Sequence, residues 1–279
     1  MRKQLQNFLA IYLFFIPMGC ENTFDPLQEN DKYVFTIYGV LDVHADTQWV
    51  RVMPIGEALI PTDPDPNGTV VRLARESNGE TIALNDSLFR FGGDSYVWNY
   101  WTTESLQPNE SYNITAETPG GKQSLSIVTL PSALSVPEVE YSEEYESIMV
   151  SGHTEEQLVL VETRYLVQAV TEMGCAPERE VVISHQEEVT NMSGQYHLST
   201  ENWSVIAKEL DVNAFNFIVN RRELIIVSAG EDWIGLSDLT EEEIFLPDKL
   251  SNVENGTGVV AGIASRKILI TPRQEPCQK

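Results

Sequence analysis

The clearest strand signal in this sequence lies at residues 34–41, which read Val-Phe-Thr-Ile-Tyr-Gly-Val-Leu. The run is short, and β-branched and aromatic side chains dominate it, as they do in strands. Residues 49–53, Trp-Val-Arg-Val-Met, form a second run of this kind after a polar loop. The two runs predict neighbouring strands, and the rest of the chain continues the pattern.

The first half of the chain, residues 33–131, consists of short runs that alternate apolar and polar residues between turn residues. Pro131 ends the last run. About seven strands is the number found in a small immunoglobulin-like sandwich. We therefore predict a mainly β protein with an N-terminal β-sandwich over residues 33–131. The predicted strands are residues 34–41, 49–53, 69–74, 80–84, 96–101, 111–117 and 123–130.

The second half, residues 132–279, mixes strand runs with a little helix. Residues 200–210 are predicted to form a helix, because Trp203, Ile206 and Leu210 fall on one face. A second short helix is predicted at residues 239–245. The expectation for this half is a β-rich domain with one or two short helices. Its predicted strands are residues 157–170, 181–185, 215–219, 224–229, 258–264 and 267–271.

The N-terminus carries the features of a secretory signal at residues 1–19. Basic Arg2 and Lys3 precede an apolar run at residues 8–16, which is shorter than the roughly 20 residues that cross a bilayer. Gly19 and Cys20 then resemble the lipobox of bacterial lipoproteins, although Pro17 stands where leucine is usual. The resemblance implies that Cys20 is lipidated and that residues 20–32 form a polar tether. The alternative is an ordinary signal peptide that ends near a cysteine.

Four stretches resemble a family of Bacteroidota outer-membrane lipoproteins known as domain of unknown function 4249. They are the lipobox with the strand at residues 33–41, the segment 106–114 around Pro108, the closing residues 129–131, and Asn-Val-Glu-Asn-Gly-Thr-Gly-Val at residues 252–259. Asn109 departs from the glycine that is usual in the second stretch. The resemblance implies a lipid-anchored protein of the cell outer membrane, on its periplasmic or surface face, with genes commonly beside TonB-dependent receptors. It brings no known catalytic residues.

The first half is also similar to the carboxypeptidase-regulatory and transthyretin-like sandwiches. That similarity implies a binding or spacer module.

The formal charge of the chain is −24 at pH 7. Nucleic-acid binding needs clustered Lys and Arg against phosphate, so this composition argues against a nucleic-acid partner. An anionic membrane surface would repel such a body, so a lipid would have to hold it there. Solubility is the simpler explanation of the acidity, and a cation-binding role is the alternative.

Three cysteines occur, at positions 20, 175 and 277. If Cys20 carries lipid, Cys175 and Cys277 are left as a candidate disulfide in an oxidising compartment. A zinc site is the weaker interpretation, because neither cysteine has a second cysteine or a histidine at the usual ligand spacing.

A search for catalytic motifs finds no serine nucleophile elbow, no phosphate loop and no pair of histidines at helical metal spacing. We therefore predict no catalytic residues and no cofactor. In one loop Asp63, Asp65 and Asn67 alternate and could offer oxygens to calcium, although the three prolines around them explain the loop without metal.

Aromatic residues are dense at residues 96–101. Trp98 and Trp101 are the candidates for stacking on sugar rings, and Trp101 falls on the strand face opposite Trp98. The alternative is that these side chains fill the sandwich core, as large aromatics usually do.

Three functions follow as hypotheses. The first is a non-enzymatic lipoprotein that assists a TonB-dependent uptake system or a surface assembly, with the outer membrane and a TonB-dependent receptor as partners. The second is a glycan-binding surface module. The third is a hydrolase whose site is scattered in the sequence.

Lipidation of Cys20 can be tested directly. Mass spectrometry of the membrane-extracted protein should show an acylated N-terminus at Cys20, because the acyl chains are the expected anchor. An unacylated and freely soluble protein would contradict the prediction.

Overall fold

The computed structural model of the protein describes residues 33–56, 68–91, 95–142, 144–172, 174–213, 216–234 and 250–271. Within these ranges one α-helix, α1, spans Trp203–Leu210, and a short 3-10 helix spans Glu144–Glu146. The strands are β1 Phe35–Asp42, β2 Gln48–Pro54, β3 Val70–Arg75, β4 Thr81–Ala83, β5 Asn85–Phe91, β6 Ser95–Thr102, β7 Ser111–Glu117, β8 Gln123–Thr129, β9 Glu138–Ser142, β10 Ser147–His153, β11 Gln157–Thr171, β12 Gly174–Cys175, β13 Arg179–Ser184, β14 Thr190–Met192, β15 Gln195–Glu201, β16 Phe217–Ala229, β17 Val253–Glu254, β18 Gly256–Thr257 and β19 Val260–Thr271.

The largest sheet runs through both halves of the chain. Its order is β12-β11-β16-β19-β1-β2-β6-β5, with β13 paired to β11 and β18 paired to β1. The last strand, β19, lies antiparallel to β16 and parallel to β1, where Gly39 stands opposite Val260. The parallel pairing joins residues that are far apart in the sequence.

A five-stranded sheet, in the order β17-β8-β7-β3-β4, packs on the part of the large sheet that contains β1, β2 and β6. Strand β1 contributes Phe35, Ile37 and Leu41 to the core between them, and β7 contributes Tyr112 and Ile114. All five side chains are almost fully buried. Alternation along β1 therefore places every second residue in a sandwich core.

A second core lies at the other end of the large sheet. The four-stranded sheet β14-β15-β10-β9 and helix α1 supply its other side. Tyr165 on β11, Tyr196 on β15 and Ile206 on α1 are buried in this core. The predicted fold class is confirmed: the protein is mainly β, with an N-terminal sandwich, a β-rich second part and a short helix.

The predicted boundary at residue 131 falls in the extended segment between β8 and β9. Strands β17 to β19 come after this boundary, yet Val253 and Val260 contribute to the first core. The division at 131 stays a prediction.

Three local predictions need correction. The helix begins at Trp203 and not at residue 200, because the chain up to Glu201 pairs with β10. The strands predicted at 215–219 and 224–229 are one strand, β16, because Asn220 is accommodated as a bulge between the pairs of β11 instead of a turn. The strands predicted at 258–264 and 267–271 are likewise one strand, β19. The helix predicted at 239–245 lies outside the described residues.

An ion pair between Glu146 and Arg222 crosses the second core. Two guanidinium nitrogens of Arg222 donate to the two carboxylate oxygens of Glu146, each at 2.6 Å. Both residues are at least 96 % buried, and the guanidinium lies over the ring of Tyr141 at 4.8 Å. Buried charges need such complete pairing. Glu146 directly precedes β10, so the pair fixes the four-stranded sheet β14-β15-β10-β9 to β16.

Residues 252–260 make the turn that brings β19 beside β1. The Asn252 side chain donates to the carbonyl of Val260 at 2.6 Å and accepts from its N–H at 2.9 Å. Gly258 has φ +118°, and a Cβ there would overlap the carbonyl oxygen of Ile37. The backbone of this turn therefore requires Asn252 and Gly258, two residues of the stretch that resembles the lipoprotein family.

Replacing Gly258 by alanine should lower the free energy of unfolding by about 3 kcal/mol, because the side chain adds a clash to a backbone conformation that disfavours it. Urea unfolding of the full chain measures this. Gly56→Ala is the control, since a Cβ at Gly56 meets nothing within 4 Å. Equal stability of the two variants would contradict the account of this turn.

Candidate functional site

The outer face of the large sheet carries a row of apolar side chains across four strands. Strand register places Ala261 on β19 opposite Val40 on β1, Val40 opposite Trp49 on β2, and Trp49 opposite Trp101 on β6. Directly opposite residues point to the same face of a sheet. The row is therefore continuous from β19 to β6.

A polar row lies next to it, two residues along each strand. It consists of Tyr38 on β1, Arg51 on β2, Asn99 on β6 and Ser87 on β5, again in direct register. The Arg51 Nε donates to Asn99 Oδ1 at 3.3 Å. The face is therefore amphipathic, with apolar surface beside hydrogen-bonding groups.

The aromatic rings of this face contact each other. The centroids of Trp49 and Trp101 are 5.9 Å apart with 35° between the ring planes. Phe89 of β5 meets Trp49 at the same centroid distance but at 74°, an edge-to-face contact. The Nε1 of Trp101 donates to Ser87 Oγ at 2.9 Å, which fixes the orientation of this indole.

Tyr38, Trp49 and Phe89 stay accessible in this cluster, whereas Trp101 is half-buried. Tyr38 exposes 49 % of its surface, and Trp49 and Phe89 expose 42 % each. Tyr38 and Trp49 line an open groove of about 430 Å³ together with Trp233 and Ile234. A contiguous exposed aromatic surface rimmed by polar residues is typical of a binding site. We name this surface the outer aromatic face and define it by Tyr38, Trp49, Phe89 and Trp101.

The two tryptophans that the sequence singled out lie on opposite sides of β6. Trp98 packs against the core of the sandwich, whereas Trp101 belongs to the outer aromatic face. Their glycan-binding role stays a prediction. The sequence analysis missed Tyr38, Trp49 and Phe89 as site residues. Their outward positions in alternating strands were a signal, but only strand register brings them together.

Other predicted site residues lie outside the described part of the chain. These are the lipidation residue Cys20, the metal candidates Asp63, Asp65 and Asn67, and Cys277. Cys175 is disulfide-bonded. Because the described ranges contain no other cysteine, its partner lies outside them, and pairing with Cys277 stays a prediction.

Within the described ranges, no group of three or more histidine, cysteine, aspartate or glutamate residues could hold a metal ion. A search of the same residues finds no helix with the length and apolar character needed to cross a membrane.

One hydrogen-bonded chain resembles a catalytic triad in its residue types. His185 Nε2 lies 2.9 Å from Thr163 Oγ1, and His185 Nδ1 lies 3.2 Å from Glu188 Oε2. Thr163 and His185 are both completely buried, so no substrate can reach the hydroxyl in this structure. The arrangement ties β11 to the end of β13.

A second groove lies on the outer face of the four-stranded sheet β14-β15-β10-β9. Glu138, Glu140 and Glu188 line it together with the exposed Met149 and His197. None of the described residues that line it is Phe, Tyr or Trp. The outer aromatic face is therefore the stronger candidate for binding an uncharged ligand.

Comparison with known proteins gives no assignment. The sequence matches no protein family and no curated protein. Among solved structures, a pullulanase from an Anoxybacillus species is 11 % identical with a TM-score of 0.23, covering 70 % of this chain and 24 % of the pullulanase. The C-terminal globular domain of an oligosaccharyltransferase from Pyrococcus abyssi is 7 % identical with a TM-score of 0.22, covering 85 % and 46 %. At such TM-scores neither similarity assigns a fold or an activity.

The buried His185 should make stability depend on pH. Burial lowers its pKa below the ordinary value of 6.5, while Glu188 acts in the opposite direction. The unfolded chain therefore takes up the proton first, and the free energy of unfolding should fall as the pH drops below 6.5.

Chemical denaturation of the wild type and of His185→Gln over this range tests that dependence. The difference between the two should shrink as the pH falls, because only the wild type loses the contribution of neutral His185. His197→Gln, at an exposed position, is the control. Parallel curves for wild type and His185→Gln would contradict the assignment.

Proposed function

We propose that this protein is a non-enzymatic, lipid-anchored binding protein of the bacterial envelope that holds neutral carbohydrate on its outer aromatic face. The observation that carries the proposal is the pairing of Trp49 with Trp101 across β2 and β6, beside a polar row.

Carbohydrate fits both rows of this face. A pyranose ring presents a face of C–H groups that packs on an aromatic ring, and hydroxyl groups at its edge that need hydrogen-bond partners. The apolar row supplies the rings, and Tyr38, Arg51 and Asn99 supply polar groups two residues away. A purely apolar partner would displace water from that polar row without offering hydrogen bonds in exchange, which costs free energy.

The charge of the chain favours an uncharged ligand. A body with a formal charge of −24 repels polyanions at a distance. Acidic polysaccharides and nucleic acids would therefore approach against the field of the protein. Neutral glycans are free of this penalty.

The envelope location rests on the sequence. The lipobox-like Cys20 and the polar tether at residues 20–32 support a lipid anchor in the outer membrane. The family resemblance adds a TonB-dependent receptor as the expected partner. A lipoprotein that captures glycan at the membrane would then act as an accessory to uptake.

Binding can be measured by affinity electrophoresis of the detergent-purified full chain in gels that contain neutral polysaccharides. Trp49→Ala and Trp101→Ala should each weaken retention by about tenfold, the effect of one lost stacked ring. Ile127→Ala is the control, because Ile127 is an exposed apolar residue of the five-stranded sheet. Trp98→Phe should bind as the wild type does, since Trp98 faces the core.

Two results would contradict the proposal. One is the absence of retention on every neutral polysaccharide tested. The other is unchanged retention in both Trp49→Ala and Trp101→Ala. Sedimentation of the same variants identifies another occupant: a dimer that Trp49→Ala dissociates would make this face an interface between two copies of the chain.

A further inference from the structure

We infer that this protein forms a two-fold dimer in which strand β5 of one copy pairs antiparallel with β5 of a second copy. The inference goes beyond the proposed function and does not depend on it. It comes from the position of β5 at the end of the large sheet, the exposure of its side chains, and the order of charges along the strand.

Strand β5 ends the large sheet in the described part of the chain. Its seven residues, Asn85–Phe91, all pair with β6, and no other described strand pairs with it. A strand at the end of a sheet presents a row of backbone N–H and C=O groups to which a further strand can bond. The side chains of Asp86, Phe89 and Arg90 are exposed on this strand. Strand β5 therefore offers a surface for strand addition.

The order of charges along β5 favours a second copy of the same strand as the partner. The strand reads Asn-Asp-Ser-Leu-Phe-Arg-Phe, with Leu88 at its centre. When two copies pair antiparallel about this centre, Leu88 stands opposite itself and Asp86 of each copy stands opposite Arg90 of the other. The two-fold axis makes this contact twice. Opposite charges that face each other across neighbouring strands stabilise the pairing.

The charges also select one register. Pairing centred on Ser87 would place Leu88 opposite Asp86, and pairing centred on Phe89 would place Leu88 opposite Arg90. Only the register centred on Leu88 brings the carboxylate of one copy to the guanidinium of the other. A shift by one residue therefore loses both ion pairs at once.

The local charge of this edge suits a contact between two acidic bodies. The chain carries a formal charge of −24, so two copies repel each other at a distance. Strands β5 and β6 contain one aspartate and one arginine as their only charged residues, so their net charge is zero. The edge strand β9 of the four-stranded sheet differs, because self-pairing about its central Glu140 would set two carboxylates opposite each other.

The dimer would join two outer aromatic faces. A two-fold axis perpendicular to the sheet leaves this face on the same side in both copies. Phe89 shares the outer face with Ser87, and in the proposed register it stands opposite Ser87 of the second copy. The outer face then continues across the junction, and both grooves open on one side. Such an arrangement lets one long polysaccharide contact both copies.

Sedimentation velocity of the detergent-purified full chain tests the dimer, at a salt concentration of about 0.15 M that screens the long-range repulsion. Asp86→Arg and Arg90→Asp should each raise the dissociation constant of the dimer by at least about tenfold, because like charges then face each other twice. The double variant with both changes should restore the wild-type dimer, since each charge again meets its opposite. Ile127→Ala is the control and should dimerise as the wild type does.

Leu88→Cys tests the register. Directly opposite residues of antiparallel strands have Cα atoms about 4.5–5.5 Å apart, which is within the reach of a disulfide. Mild oxidation should therefore link two copies of the Leu88→Cys variant. Ile127→Cys is the control, because Ile127 is exposed on the five-stranded sheet and reports random collision.

Three results would overturn the inference. They are a wild-type chain that sediments as a monomer, a dimer that neither charge reversal weakens, and crosslinking of Leu88→Cys that is no faster than that of Ile127→Cys. A dimer that Trp49→Ala dissociates would place the interface on the outer aromatic face and would also overturn the pairing of β5. Retention on polysaccharide gels tests the proposed function separately, so each proposal can fail while the other stands.

Discussion

The structure depends on one pairing, that of the last strand with the first. Strand β19 lies parallel to β1 on one side and antiparallel to β16 on the other. Val260 at its start is buried in the sandwich core, and Ala264, four residues later, is buried in the second core. Pairing β19 with β1 closes the long loop of chain between them, which costs conformational entropy. Burial of β19 side chains in both cores offsets that cost. The two cores therefore share β19, which the second half of the sequence supplies to both of them.

This pairing requires backbones to approach each other closely. Gly258 and Gly256 pass against the carbonyls of β1, where a Cβ would overlap them. At the other side of the strand, Gly230 donates its N–H to the carbonyl of Gly262 at 3.0 Å. A Cβ at Gly262 would stand only 2.5 Å from the carbonyl oxygen of Thr129 on β8. Glycine at these positions lets three segments meet without a gap.

The polar and apolar exceptions to the usual burial pattern have different meanings here. His185 and the Glu146–Arg222 pair are buried with partners, and each joins two elements of the fold. Trp49 and Phe89 are apolar, and among the described residues their side chains stay 42 % exposed. Buried polar groups with complete partners are explained by stability, whereas a cluster of exposed aromatics needs another explanation. For this reason the candidate site lies on the outer aromatic face and not at the triad-like chain of His185.

The sequence by itself determined the local properties of this protein. Alternation at residues 34–41 and 111–117 predicted strands that the structure contains, because a period of two is a property of each strand alone. The apolar spacing of Ile206 and Leu210 predicted α1, although pairing with β10 moved its start. Tertiary structure decided the features that depend on pairing and packing between strands. The bulge at Asn220 kept β16 continuous where a turn was predicted. Register between β2 and β6 brought Trp49 to Trp101, and the same sheet turned Trp98 toward the core. A strand pattern tells that two faces exist, but only packing against other strands decides which face is covered and which aromatic rings meet on the other.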